Sequence, residues 1–486
     1  MEKLYIYYFY KGLNNSILKM NLIFNQKQRK EISLLLFNKY NKFSLNLIKK
    51  ICSIFNNKSN DIIIYINNNE ECNILNNMLS KIFKFMILIL NTLYDDRKEK
   101  IKNEKEITYF ISEIIKLIIN SFEYLLYNKE KYYFIRNIKN EINERNNGFY
   151  KFLSSITSFL KIFLFIKTIK NEFSNYVLKF LFKILFPLII TLDEEKNFME
   201  DSPQLYQIYF NEIIDNESNS YNINFRLCVC SLIIKIFEEC DVASQNDILL
   251  TVIKMFKMTL NYEINKDINI KDNFFNLEQN KKHFIDLLNS ESKIDLSLLI
   301  LVLLRHYLIK NKIYRKDFIN YIIINQEKLQ SFKSKLIIIK ICVLYKVLLP
   351  FIFYLDDKCI NLFKYESFID KALCFLFNNI QDIKAVSNIS LNIIIELIEF
   401  LASNDYKNSD SKELSLFKKI FFNSINNYFK YFYNIIILNN IPLSFYILCE
   451  TILKNIKIND KDYIFLLLNN LVKQVIPKLS TIIFLL

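Results

Sequence analysis

Glycine is almost absent from this 486-residue chain, which holds 2 glycines, 5 prolines, 2 histidines and no tryptophan. Average usage would supply roughly 34 glycines and 24 prolines. Glycine provides the φ > 0 positions of hairpin turns and phosphate loops, so sheet-rich and Gly-loop architectures are nearly excluded. Gly12 and Gly148 stand too far apart for a dinucleotide fingerprint or a P-loop. His283 and His306 cannot assemble a catalytic triad together with an imidazole metal cluster. The chain is therefore expected not to be an enzyme and to need no cofactor and no metal.

What is abundant points to helices. Hydrophobic residues make up 52% of the chain, with 44 Phe and 30 Tyr, enough to bury a continuous core. A single core stops growing near ~250–300 residues, so this length calls for several domains or a core spread along an axis. From Glu172 to Leu192 the polar positions are Glu172, Asn175, Lys179 and Lys183, a narrow wet stripe at helical spacing. Asn388, Asn392, Glu396 and Glu399 repeat the pattern between Val386 and Ala402. Helices this apolar need neighbours on both flanks, as in a stacked array. The periodicity predicts helices over 28–56, 72–94, 105–128, 149–170, 172–192, 225–240, 245–262, 294–311, 316–330, 333–349, 358–378, 384–403, 412–438, 442–457 and 461–474. They break at Asn, Asp and Ser clusters, residues that tolerate the left-handed conformation in place of glycine. Helix pairs recur at roughly 40–47 residues, the period of HEAT and armadillo arrays.

Charge and cysteine narrow the setting. The 64 Lys+Arg against 50 Asp+Glu give +14, but Lys, Asn, Ile, Phe and Tyr all have A/T-rich codons, which weakens any argument from charge. Residues 1–60 carry 11 Lys/Arg and 2 Glu, while 193–217 carry 8 acids against Lys196. The basic end alternates with apolar positions, as on a solvated helix face, and no finger spacing, RNP pattern or Arg-rich run supports nucleic-acid binding. Nine cysteines, odd in number and set in apolar runs, indicate a reducing compartment. Cys228 and Cys230 form a C-x-C without a second knuckle and read as small core residues. The best spanning candidate, Leu336 to Leu355, contains Lys340, Lys346 and Pro350, so no membrane insertion is expected.

Three segments stand apart. Asp193 to Ile223 reads as an irregular acidic interruption of the array, and Asn261 to Lys282 as a polar connection. Phe375-Leu376-Phe377-Asn378-Asn379, a turn with Asp382, then Ala385-Val386-Ser387, Ser390 and Ile393 resemble one HEAT repeat.

The most distinctive run is Phe186 to Cys240. It reads Phe186-Pro187-Leu188-Ile189-Ile190, Leu192-Asp193-Glu194-Glu195, Met199-Glu200-Asp201-Ser202-Pro203-Gln204-Leu205-Tyr206, then Tyr221-Asn222-Ile223-Asn224-Phe225-Arg226 before a helix. It resembles the middle of importin-β (karyopherin) family receptors. These end a HEAT helix near a proline and cross an acidic stretch of the form aromatic-acid-acid-x-Pro-x-x-aromatic. They then re-enter a helix through an Arg. Met199 stands where those receptors often have Trp, with Phe198 beside it, and Ser202 replaces a frequent Asp or Asn.

The resemblance extends over roughly residues 80–405, with only 187–240 motif-like. It implies an all-α HEAT/armadillo-like α-solenoid, a right-handed superhelix of antiparallel helix pairs. Repeats over 1–192 and 224–486 would flank the acidic segment 193–223 in one continuous array. The implied function is a nuclear transport receptor that shuttles between nucleus and cytoplasm, binding protein cargo on its concave face and Phe-Gly nucleoporins on its outer helices. Glu194, Glu195, Glu200 and Asp201 would face cargo with Tyr206 beside them, and Pro187 and Arg226 would be structural. Arg226 is the only arginine between Arg145 and Arg305, and a guanidinium fork can bridge a carboxylate and a carbonyl where lysine cannot. In the family, N-terminal repeats bind Ran-GTP. Here the acidic segment comes too early for a complete set, so a shortened receptor or part of a longer one is expected. The alternative is a helical-repeat scaffold subunit without transport activity.

Overall fold

Apolar residues at three- and four-residue spacing, with almost no glycine to interrupt them, leave the backbone one economical way to satisfy its own N–H and C=O groups. The computed structural model describes residues 2–56, 69–94, 104–126, 148–164, 166, 169–170, 173, 177–191, 193–215, 225–262, 290–311, 313–352, 362–379, 384–404 and 423. The fold is all-helical, with no strand among the described residues. The expected helices 442–457 and 461–474, nearly all of 412–438, the connection at 263–289 with His283, and the turn at Asp382 lie outside them.

Chain contacts divide the protein into two units, Met1–Glu195 with Phe210–Ser297, and Lys196–Tyr209 with Leu298–Leu486. The first unit opens with α1 (Glu2–Ile23), α2 (Gln26–Asn56), α3 (Asn69–Tyr94), α4 (Glu104–Leu126) and α5 (Gly148–Phe163). Then come α6 (Val177–Phe180), a π-turn (Leu181–Leu185) and α7 (Phe186–Leu188). After α8 (Asp193–Asp201) and α9 (Pro203–Asp215), which straddle the division, it continues with α10 (Phe225–Glu239) and α11 (Val242–Tyr262). Alternate helices pack side by side: α1 on α3, α3 on α5, and α5 on α10 form one layer. Beneath it α2 packs on α4, and α4 on the π-turn.

Aromatic contacts and a few internal hydrogen bonds hold neighbouring helices together within and between these layers. Phe83 of α3 meets Phe159 of α5 edge-on at 5.6 Å, and Phe37 of α2 meets Phe110 of α4 at 5.2 Å. Tyr10 shares a hydrogen bond with Ser44 at 3.0 Å, Asn14 donates to the Lys81 carbonyl at 3.0 Å, and Ser80 and Ser155 pair at 2.8 Å. Ends are managed without glycine. Asn25 Oδ1 accepts from the Gln28 N–H at 3.0 Å while Gln28 Oε1 accepts from the Asn25 N–H at 3.2 Å, a reciprocal cap at the start of α2. Asp241 caps α11 by accepting the Ser244 N–H at 2.7 Å.

The second unit contains α12 (Ser290–Leu303), apart from its first turns, followed by α13 (Arg305–Lys310), α14 (Arg315–Ile324) and α15 (Gln326–Gln330). It ends, among the described residues, with α16 (Lys335–Ile352), α17 (Leu362–Asn379) and α18 (Lys384–Asn404). Here α18 packs on both α16 and α17. Ala372, Ala385 and Ser390 are fully buried, and Cys342 lies 3.5 Å from the Ser390 hydroxyl, so small side chains allow close approach. Gln326 donates to the Phe368 carbonyl at 2.9 Å and Lys371 pairs with Glu327 at 2.6 Å, tying α15 to α17. Asn392, Glu396 and Glu399 are exposed along α18, the wet stripe expected there.

Three expectations change. The helix Glu2–Ile23 is absent from the sequence-based set, because its buried positions Tyr10, Asn14 and Ile17 mix polar with apolar residues. The acidic segment is not irregular over 193–215 but forms α8 and α9. Asp193, Glu194 and Glu195 open α8, where negative charge complements the helix dipole, and Tyr206, Phe210, Ile213 and Ile214 recur at helical spacing on the buried side of α9. The third change is the 172–192 stripe, which does not stay wet. Lys179 is half-buried and Lys183 is 7% exposed. The Phe186 N–H bonds to the Leu181 carbonyl, five residues back, so this turn is wider than 3.6 residues, and packing around it buries Lys183.

Candidate functional site

Pro187 has no N–H to return to Lys183 and its ring crowds the carbonyl one turn back, which disfavours a continued α-helix. The chain meets this with the π-turn just before Pro187 and a stop at Ile189, whose φ of −106° and ψ of 7° leave helical space. Pro187 itself is buried. The break brings Thr191 and then Glu195 of α8 against Arg226, in the first turn of α10. Arg226 Nη1 donates to Glu195 Oε2 at 2.5 Å and Nη2 donates to Thr191 Oγ1 at 3.0 Å. Both charged side chains are 1% exposed.

A cation in the first turn of a helix opposes the helix dipole, and a buried one also pays for desolvation. The Glu195 carboxylate answers both costs, and the second guanidinium arm holds Thr191. One side chain thus fastens the strand of chain after Pro187 to α10. A lysine ammonium has three donors but lacks the rigid planar fork that fits two separate acceptors with one preset geometry. Arginine at 226 in a lysine-rich chain signalled this bridge, but the carboxylate lies 31 residues away, and the second acceptor is a hydroxyl rather than a carbonyl.

Lysines secure the rest of α10. Lys161 of α5 donates to the Ser231 hydroxyl, and burial lowers its ammonium pKa below the usual lysine range. Lys170 donates to the Glu239 carbonyl, placing a cation at the negative end of α10. Cys228 and Cys230 are buried thiols on this helix, while burial pushes the half-buried Cys240 thiol up to about 11. Among the described residues no group of three or more His, Cys, Asp or Glu could hold a metal ion, and His306 lies exposed on α13.

Lys196–Tyr209 belongs to the second unit and is built differently. Phe198, Tyr206 and Tyr209 form an aromatic cluster, with Phe198 lying 5.8 Å from Tyr206 and 6.0 Å from Tyr209 between ring centroids. Met199 is buried while Phe198 is half-buried. The Ser202 N–H bonds to the Phe198 carbonyl at 3.0 Å, and the Tyr206 N–H to the Ser202 carbonyl at 2.9 Å. Pro203, at the start of α9, presents no N–H where the helix would leave one unsatisfied.

The residues expected to face a partner therefore separate. Glu200 and Asp201 are exposed on the last turn of α8. Glu195 is the buried counter-ion of Arg226, and Tyr206 is 0% exposed, so neither presents itself to a partner in this conformation. The Glu194 side chain and the lead Tyr221–Asn224 lie outside the described residues. Comparison with protein-family models, with curated proteins and with solved structures finds no match.

Proposed function

We propose that the chain is a helical-repeat, partner-binding protein of the importin-β-like transport-receptor type, an α-solenoid of HEAT-like helix pairs that carries protein cargo between cytoplasm and nucleus. The observation that carries this reading is the packing of alternate helices into layers within the first unit, with α1, α3, α5 and α10 side by side. Layered neighbours are what a solenoid needs, because each repeat buries its apolar sides against the next. Further support comes from the exposed Glu200–Asp201 pair before Ser202-Pro203, which gives an acidic turn suited to a basic cargo signal. Phe-Gly nucleoporins are the proposed second class of partner and Ran-GTP the proposed regulator.

The test is co-precipitation of the purified chain with Phe-Gly repeats, with Ran-GTP and with a lysine-rich import-signal peptide. Retention of Phe-Gly repeats, and of a signal peptide lost on Glu200→Lys/Asp201→Lys, is the expected result. Retention of none of the three removes the transport reading.

A non-transport scaffold subunit is the second reading. It is favoured by the burial of Glu195 and Tyr206, which turns two of the expected contact residues into internal supports. A scaffold would hold a stable protein partner through an extended helical face and ignore Phe-Gly repeats and Ran-GTP.

A further inference from the structure

One side of α1 holds it to the first unit. Tyr10, Asn14 and Ile17, at four- and three-residue spacing, are buried. Tyr10 meets Phe85 of α3 edge-on at 5.3 Å and bonds to Ser44 of α2, and Asn14 donates to the Lys81 carbonyl of α3 at 3.0 Å. The rest of the helix surface is apolar where a solvated face would be polar. Tyr5 is 70% exposed, Tyr8 62%, Leu22 87% and Ile23 74%, with Leu4 and Leu18 also exposed. From Leu4 to Ile23 these side chains run nearly the length of the helix, about 28 Å at roughly 1.5 Å per residue. Side chains exposed this far project from the surface rather than line a groove.

Charge on these two helices has one sign. Lys11 and Lys19 are exposed among the apolar side chains, and the Lys11 ammonium lies 5.9 Å from the Tyr8 ring centroid, so cation and ring share one surface. On α2, joined to α1 by the Tyr10–Ser44 bond and a ring contact between Phe9 and Tyr40, Lys27, Lys39, Lys42 and Lys49 are exposed. Glu31 is the one exposed acid among the described side chains of α1 and α2. Two copies of this face would set lysine against lysine, so charge disfavours self-pairing. An anionic bilayer satisfies both kinds of side chain. Tyrosine rings settle at headgroup level, and lysine stems lie along apolar surface while their ammonium groups reach phosphates. No helix among the described residues is long and apolar enough to cross a membrane, so α1 is suited to lie on a bilayer and not to span it.

We propose that α1 docks flat on the surface of an anionic lipid bilayer, with Tyr5, Tyr8, Leu22 and Ile23 entering the headgroup–acyl boundary and Lys11 and Lys19 meeting the lipid phosphates and carboxylates. The two halves act together. Each lysine brought near an anionic leaflet strengthens binding about fivefold, and the apolar side chains keep the helix in the boundary once it arrives. The proposal does not depend on the transport reading.

The chain contains no tryptophan, so one introduced indole reports only its own site. Tyr8→Trp and Leu22→Trp place that reporter toward the two ends of α1. Each full-length variant is titrated with vesicles of phosphatidylcholine alone and with vesicles containing one-third phosphatidylserine. The expected result is a blue-shifted emission from both positions on the serine-containing vesicles, weakened by added salt, with binding to phosphatidylcholine alone roughly tenfold or more weaker. In the Tyr8→Trp chain, Lys11→Gln/Lys19→Gln should weaken binding roughly twentyfold. Leu22→Ser/Ile23→Ser removes apolar groups but no charge and should weaken it roughly tenfold or more. All four of these side chains are exposed, so folding should be unchanged by circular dichroism. A shift at one end only, equal binding to both vesicles, or full retention by either double variant overturns the proposal. So does the absence of vesicle binding, including the case in which α1 pairs with a second copy or a protein partner instead.

Discussion

Glu195→Gln removes one charge from the Arg226 bridge while keeping the side chain's volume. Both partners are 1% exposed and 2.5 Å apart, so water cannot replace the lost carboxylate without opening the structure. Removing one partner of a buried pair costs about 3–5 kcal/mol, because the other charge is left without compensation. With a denaturant slope of about 2–3 kcal/mol per M, the urea midpoint should fall by about 1–2.5 M. Thr191→Val removes the second arm's acceptor only. The Thr191 side chain is half-buried, so the loss should lie at the low end of the roughly 1.5–3 kcal/mol for a hydrogen bond to a charged group. Arg226→Lys should fall between the two, keeping a charge pair but losing the bridge. The decisive variant is Arg226→Met/Glu195→Leu, which replaces both charges by apolar side chains and should be more stable than either single variant. Urea unfolding followed by far-ultraviolet circular dichroism measures all four. The reasoning is refuted if Glu195→Gln stays within about 0.5 kcal/mol of the parent, or if the double variant loses the sum of the singles.

Three further outcomes follow from local chemistry. Asn25→Ala should destabilise the protein by about 1 kcal/mol by removing an N-cap, whereas Asn25→Asp should leave the denaturation midpoint nearly unchanged; equal losses would discredit the reciprocal cap. Hydrogen bonds from the Ser244 backbone and side chain hold the Asp241 carboxyl below its ordinary range. Its contribution is therefore present above the unfolded-state value and lost as pH falls through the lower folded value, so Asp241→Asn should flatten the acid limb of the stability–pH curve, and an unchanged limb would contradict the assignment. Because burial pushes the Cys240 thiol up to about 11, about a thousandth of it is thiolate at pH 8. Mass-resolved alkylation should therefore modify Cys240 far more slowly than a peptide thiol, and equal rates would show that the burial is wrong.

Helix type and position were legible where a polar stripe repeats over several turns. The 384–403 expectation and α18 agree closely because Asn392, Glu396 and Glu399 mark an uninterrupted 3.6-residue period. The same logic misplaced Lys183, because its burial depends on what packs around Leu181–Leu185 rather than on the period of its own helix. The acidic run misled for a different reason. Eight acids in a short stretch suggest solvation, but a helix N-terminus welcomes carboxylates, and the apolar period of α9 is only visible once its start at Pro203 is known. The candidate site was half-legible. Arg226 announced that a fork was needed, and Glu195 was singled out for its charge, yet pairing across 31 residues depends on the break at Pro187, a tertiary fact.

Pro187 ends a helix from within a buried run, and the strain it places on the turn before it is met by the π-turn. Downstream, the early stop at Ile189 releases Thr191 and Glu195 to reach α10. Replacing Pro187 by alanine would restore an N–H that can bond to the Lys183 carbonyl and let the α-period run on, displacing Thr191 from Arg226. The Arg226 bridge therefore depends on Pro187, which sets where the chain leaves the helix, so Pro187→Ala should lower the urea midpoint through the loss of the Thr191 arm.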